Sequence, residues 1–243
     1  MHNARRSGGP GTVGIVVAIV IGFLISFFTN GQTLVPNLAF LPFDAWARPW
    51  TFATFPYAYG PRDLVAVLFL CLWLWGIGMS VERELGTPRF VGFWFTMTIL
   101  GALCLWIGSK ITGQIQPLTG AFMPVSAVTV AWGTRNPTAE VRLMFVLPIL
   151  GKWLAWLSVI LVFFGTSPQL APFAAVPLGL AYLFAADKLA FLPWSAGKRA
   201  KRDKKADKKV YDLIDRAETR KKERDEKERL RKLFESSLSD DEK

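Results

Sequence analysis

The sequence predicts an all-α membrane protein: six transmembrane helices followed by a charged, helical cytoplasmic tail. Three observations carry this. Hydrophobic residues fill 51% of the 243 positions and aromatic residues 14%, with a mean hydropathy of +0.29, more than a soluble domain of this size can cover with polar surface. Residues 1–197 hold 11 of the 29 Lys and Arg and 6 of the 19 Asp and Glu, so most of the charge crowds into the last stretch of chain. Six apolar stretches also approach the 20 or so residues that a bilayer core of roughly 30 Å requires.

In order, the stretches run from about Thr12 to Phe28, Leu64 to Met79, Phe90 to Gly108, Leu118 to Gly133, Met144 to Gly165 and Leu170 to Phe191. The fourth is short and interrupted by Pro124. The first follows Arg5 and Arg6 but is closed by no small-x-small cleavage pattern before Asn30, so it reads as a retained helix rather than a secretory signal. This divides the chain into an N-terminal tail (1–11), a membrane domain (12–192) and a basic tail (193–243). Basic residues orient the spans. Arg5, Arg6, Arg83, Arg89, Arg135, Arg142, Lys152 and the whole tail fall on one side, against Arg48, Arg62 and Lys110 on the other. Both termini are therefore expected in the cytoplasm, and the protein in the plasma (inner) membrane.

Composition excludes several chemistries. The two cysteines, Cys71 and Cys104, lie inside apolar runs and read as small hydrophobes. The one histidine, His2, is in the N-terminal tail, so no imidazole is available in the body of the protein. No glycine loop for phosphate and no metal-ligand spacing occurs, so neither cofactor nor metal is expected. Ionisable residues at mid-depth, which usually mark transport pathways, are almost absent. The connection from Thr29 to Asp63 is long and rich in aromatics, among them Trp46, Trp50, Phe52, Phe55 and Tyr57, and is expected to lie partly submerged at the outer face.

Three stretches carry a family resemblance. Leu74-Trp75-x-x-Gly78-x-x-x-Glu82-x-x-x-Gly86-x-x-Arg89-Phe90 resembles the second-to-third helix junction of the rhomboid superfamily of intramembrane serine proteases. Pro49 to Gly60 looks like the family's Trp-Arg-x-x-Thr-x-x-Phe segment, with Thr51 where arginine is common. The run with Gly133, Arg135, Asn136, Pro137 and Lys152 is similar to the fourth-to-fifth connection. The resemblance covers about residues 12–192 and implies a rhomboid-like six-helix bundle. From the residues themselves, Glu82 and Glu84 beside Arg83 and Arg89 are expected to form ion pairs and to bind free backbone groups at a tight return. Gly78 and Gly86 would permit close approach or positive φ.

The resemblance also implies where catalysis would lie. Aligned from Gly133, the family's Gly-x-Ser-Gly falls on Pro117-Leu118-Thr119-Gly120, and the sixth-helix histidine on Val176 or Pro177. The second-helix oxyanion donors fall near Ala66 and Leu70. None of Ala66, Leu70, Val176 and Pro177 can take or give the required proton, and Thr119 reads first as a helix N-cap. A small-residue stripe that includes Ala174, Gly179 and Ala181 would pack the sixth helix on the fourth. The expectation is a member without the Ser/His dyad, not an enzyme, that binds transmembrane segments or membrane partners without cutting them. The alternatives are a peptidase with a non-standard site, and a transport or assembly factor on the same scaffold.

In the tail, Lys198 to Lys209 carries eight basic residues and two aspartates, which should hold it against anionic lipid. Nucleic acid is disfavoured because no aromatics interleave the charges. Acid-before-base pairs at i,i+4, such as Glu218/Lys222 and Glu228/Lys232, predict a helix from Lys209 to Phe234. The orientation predicts that a reporter fused after Lys243 and active only outside the cytoplasm stays silent; a signal from it would exclude the six-span arrangement.

Overall fold

The computed structural model describes residues 9–143 and 147–186. The chain divides into two units, Met1–Trp194 and Ser195–Lys243, and the described residues all belong to the first. Arg5, Arg6, Asp187, Lys188 and the basic tail with its expected helix lie outside the described residues.

Among the described residues, three helical stretches are long and apolar enough to cross a membrane. The first is α1 (Pro10–Phe28). The second is a continuous 22-residue run made of α4 (Leu64–Trp73), a π-helical turn (Leu74–Gly78) and α5 (Met79–Leu85). The third is α6 (Thr87–Thr112). Three shorter helices complete the body: α7 (Phe122–Arg135), α8 (Gly151–Gly165) and α9 (Ala171–Ala185). Two short helices, α2 (Leu34–Leu38) and α3 (Thr51–Thr54), sit in the long first connection. The core lies where α7 packs on α8 and α9, and where α6 packs on α9. Every residue of α7 from Met123 to Gly133 is buried, so this helix is apolar all round because it has neighbours all round.

The fifth expected span is corrected. Residues 144–146 lie outside the described residues, and Leu147–Leu150 (β2) is not helical but pairs antiparallel with Glu140–Leu143 (β1), with Arg142 opposite Pro148, so that α8 starts only at Gly151. Proline at 148 would break a helix interior but is tolerated in a two-stranded edge. The fourth span is likewise shorter at its start. Leu118 is extended and exchanges hydrogen bonds with Phe40 (3.0 and 2.9 Å), which leaves α7 to begin at Phe122.

Glu82 binds free backbone N–H groups as expected, but among the described residues it forms no ion pair with Arg83 or Arg89. It is 3% exposed and reaches the start of α1 rather than Arg83 or Arg89. Its Oε1 accepts the Gly11 N–H (2.9 Å) and the Thr87 hydroxyl (2.7 Å), and its Oε2 accepts the Thr12 N–H and the Thr12 hydroxyl (2.7 Å each). The first turn of α1 is thereby fully accounted for. Pro10 has no N–H, Gly11 and Thr12 donate to the carboxylate, and Val13 donates to the Gly9 carbonyl. Gly78 lets Thr12 come this close, since a Cβ there would sit 3.1 Å from the Thr12 methyl. Gly86 ends α5 at φ 83, a conformation open to glycine. Glu84 instead pairs with Arg135 (3.2 Å) and accepts from the Asn136 amide (2.9 Å), joining α5 to the end of α7. Arg89 is half-buried, and its Nη1 has no hydrogen-bond partner among the described residues.

The α7–α8 contact rests on two glycines. A Cβ on Gly133 would lie 2.2 Å from the Gly151 carbonyl oxygen, and one on Gly151 would lie 2.2 Å from that of Asn136. Pro137 sits in the turn between them, where its carbonyl accepts the Lys152 N–H. Gly133→Ala should therefore destabilise the protein in detergent by about 1–3 kcal/mol. Gly92→Ala, where an added Cβ meets nothing within 4 Å, should be neutral or slightly stabilising. Thermal unfolding of the two variants side by side checks this.

Candidate functional site

A cavity of about 480 Å³ opens between α4, α7 and α8 near the start of α7. From α4 it takes Ala66, Phe69, Leu70 and Trp73, and from α8 Leu154, Leu157, Ser158 and Leu161. Thr119 and Gly120 lie at its mouth with Tyr59 and Asp63, and Ser126 and Thr129 lie deeper on α7. The walls are apolar because α4 and α8 place side chains three and four residues apart on the facing stripe. The polar groups come from the mouth, from α7 and, at Ser158, from α8.

Four of the expected site positions are brought together here: Ala66, Leu70, Thr119 and Gly120. Two are not. Val176 is 44% exposed, Pro177 is buried within α9, and neither lines the cavity. Pro177 is packed against protein, whereas Val176 projects outward. Of the scaffold positions, Gly78, Glu82, Gly86, Arg89, Gly133, Arg135 and Pro137 all lie away from this cavity, and Gly133 and Pro137 line a second one.

Thr119 is not a helix cap. Ala121 occupies that position, and no side chain there bonds to the first turn. The reason is the loop's own anchoring. Gly120, at φ 72, donates its N–H to the Phe55 carbonyl (2.9 Å), and Ala121 donates to the Tyr59 hydroxyl (2.8 Å). With Leu118 held by Phe40, the segment passes through three consecutive anchors and leaves Thr119 exposed between them. The long aromatic connection thus does two things. Phe40 and Phe55 are buried and grip this loop, whereas Trp46 and Trp50 are 82% and 51% exposed. Sequence reasoning had no signal for Tyr59 as the anchor of Ala121, since the pair is 62 residues apart.

The floor of the cavity is tied across the helices by indole donors. Trp73 Nε1 donates to the Thr129 hydroxyl (3.0 Å), and further along Trp132 Nε1 donates to that of Ser80 (3.1 Å). Such interhelical bonds are worth roughly 1 kcal/mol each in an apolar surrounding. At the mouth, Asp63 accepts the Gly60 N–H (2.7 Å). Burial pushes the Tyr59 phenol above its ordinary value; the Ala121 N–H works against that shift, and the nearby Asp63 carboxylate adds to it. The site thus offers hydroxyls at Thr119, Ser126 and Ser158, a neutral phenol and one carboxylate, set in an apolar trough.

A family model described as eukaryotic integral membrane protein (DUF1751) matches residues 13–185. The chain is also 25% identical over 160 residues to proteins named rhomboid protease GlpG from Salmonella paratyphi A, Salmonella choleraesuis and Salmonella typhi. Each match covers 63% of this chain and 56% of the relative, so the chain spans little more than half the length of the curated relatives it matches. Together these findings establish an integral membrane protein of the rhomboid superfamily. They also correct one expectation. The chain was expected not to be an enzyme, but the relatives it matches are themselves named proteases, so family kinship does not set it apart from peptidases.

Tyr59→Phe removes the acceptor for the buried Ala121 N–H and should cost about 1–3 kcal/mol in a thermal or denaturant melt. The raised phenol gives the sign of the pH dependence: the stabilisation from neutral Tyr59 is complete below its ordinary value of about 10 and is lost as pH climbs above it. In Tyr59→Phe this part of the alkaline loss of stability should disappear.

Proposed function

We propose, from the premise that the chain belongs to the eukaryotic integral membrane protein family (DUF1751), that it receives an apolar helical segment of another membrane protein in the cavity between α4, α7 and α8. The observation that carries this reading is the cavity's construction. It is walled by leucines and aromatics, carries only a few hydroxyls, at Thr119, Ser126, Thr129 and Ser158, and lies between two helices, α4 and α8, that scarcely pack on each other. An incoming helix would bury its side chains against Leu70, Leu157 and Leu161. Thr119 and Ser126 would meet its backbone or a polar side chain. In a bilayer such docking draws on packing and hydrogen bonds rather than on expulsion of water. In the same reading the body spans the membrane six times with both termini cytoplasmic, which puts the mouth of the cavity at the outer face.

A second reading, peptide hydrolysis in this cavity, is favoured by the name of the matched relatives and by the exposed Thr119 hydroxyl at its mouth. That chemistry would need a group to take the hydroxyl proton.

Photocrosslinkers at Leu70 and at Leu157 should capture a single-span model helix reconstituted with the protein. Ala66→Trp, which fills the trough, should lower the yield several-fold. A yield unchanged by Ala66→Trp, or capture of lipid alone, would exclude the cavity as the docking site. A captured helix that is shortened in the wild type but intact in Thr119→Val would establish the hydrolytic reading.

A further inference from the structure

Helix α8 is a partition. One stripe, Leu154, Leu157, Ser158 and Leu161, lines the cavity described above. The opposite stripe, Lys152, Ala155, Trp156 and Val159, lines a second cavity of about 610 Å³ between α7, α8 and α9. We propose that this second cavity binds one anionic glycerophospholipid, with its phosphate on the Lys152 ammonium and an acyl chain along the α8 stripe.

The groove is polar at one end only. Lys152 and Thr134 stand there, together with Tyr182, because α9 runs antiparallel to α8; Val130, Val159 and Ala175 form the other end. The eight residues from Lys152 to Val159 span about 10 Å of helix, a suitable bed for the upper part of an acyl chain. The floor is low where Gly133, Ala155 and Gly179 lie, and an added Cβ on Gly179 would meet nothing within 4 Å.

Charge selects the occupant. Lys152 is exposed and forms no salt bridge among the described residues; its ammonium lies 5.8 Å from the Trp153 ring. It also sits at the first turn of α8, where the helix dipole disfavours a cation and a phosphate would offset both. Trp153 and Trp156 beside it are 60% and 65% exposed, as interfacial aromatics are at headgroup depth. A neutral partner helix would leave this cation unanswered. An anionic lipid answers it and fills the apolar end with the same molecule.

The test uses the full-length protein in phosphatidylcholine vesicles that contain a trace of a phospholipid with a photoactivatable acyl chain, adducts being mapped to peptides by mass spectrometry. Mapping keeps this groove separate from the basic tail. A phosphatidylglycerol probe should label the peptides carrying Trp156, Val159 and Ala175 about five-fold more than a phosphatidylcholine probe, the discrimination that one basic group supplies. Lys152→Gln should bring the two probes level at these peptides. Gly179→Leu, whose Cβ meets no neighbour within 4 Å and whose side chain would enter the groove, should remove both adducts there while labelling elsewhere persists. The proposal is overturned if the wild type does not distinguish the probes in the groove, if the groove is not labelled, or if either variant labels as the wild type does.

Discussion

A carboxylate can leave water only where other donors replace the water, and Glu82 has four, two on each oxygen. Three of them come from the first turn of α1 and one from the first turn of α6, so a single side chain on α5 locks the ends of three helices to one another. Each bond to a charged acceptor is worth roughly 1.5–3 kcal/mol where it is buried. The negative charge also meets the positive end of the α1 dipole. With α1 held there, Gly78 and Thr12 come into contact, and the π-helical turn at Leu74–Gly78 lies against the α1 surface. The geometry of α4, and hence one wall of the main cavity, follows from this clasp.

At the other end of the bundle, backbone pairing does the equivalent work. Phe40, Phe55 and Tyr59 hold Leu118, Gly120 and Ala121 respectively. The long connection between α1 and α4 is therefore a brace for the entry to α7 and, through it, for the mouth of the cavity. Thr119 is the one residue of the four from Leu118 to Ala121 that this brace leaves facing outward. Its exposure is a product of its neighbours' hydrogen bonds and not of its own chemistry.

The two cavities share one wall. Helix α8 packs along α7, with backbones in close approach at Gly133–Gly151, and its sequence lines the space left on each of its other two faces appropriately. Leucines and a serine face α4, while a lysine, a tryptophan and an alanine face the groove with α9. An occupant on one side would bear on the same helix as an occupant on the other.

What the sequence by itself determined is local or repetitive. Six apolar runs, the glycine-and-glutamate junction from Gly78 to Arg89, and the superfamily that this junction resembles could all be read from composition, spacing and motif. The gathering of Ala66, Leu70 and Thr119 was legible only through that resemblance, which aligned all three with the family's site positions. Only the tertiary structure decided which partner Glu82 takes, that Leu147–Leu150 pairs as a strand rather than beginning a helix, that Thr119 caps nothing, and that Val176 faces away from the cavity. Each of these turns on a contact between residues far apart in the chain or on the rotation of one helix about its axis. Glu82 lies 70 residues from Thr12, and a run that is apolar all round leaves its rotation open until neighbouring helices pack against it.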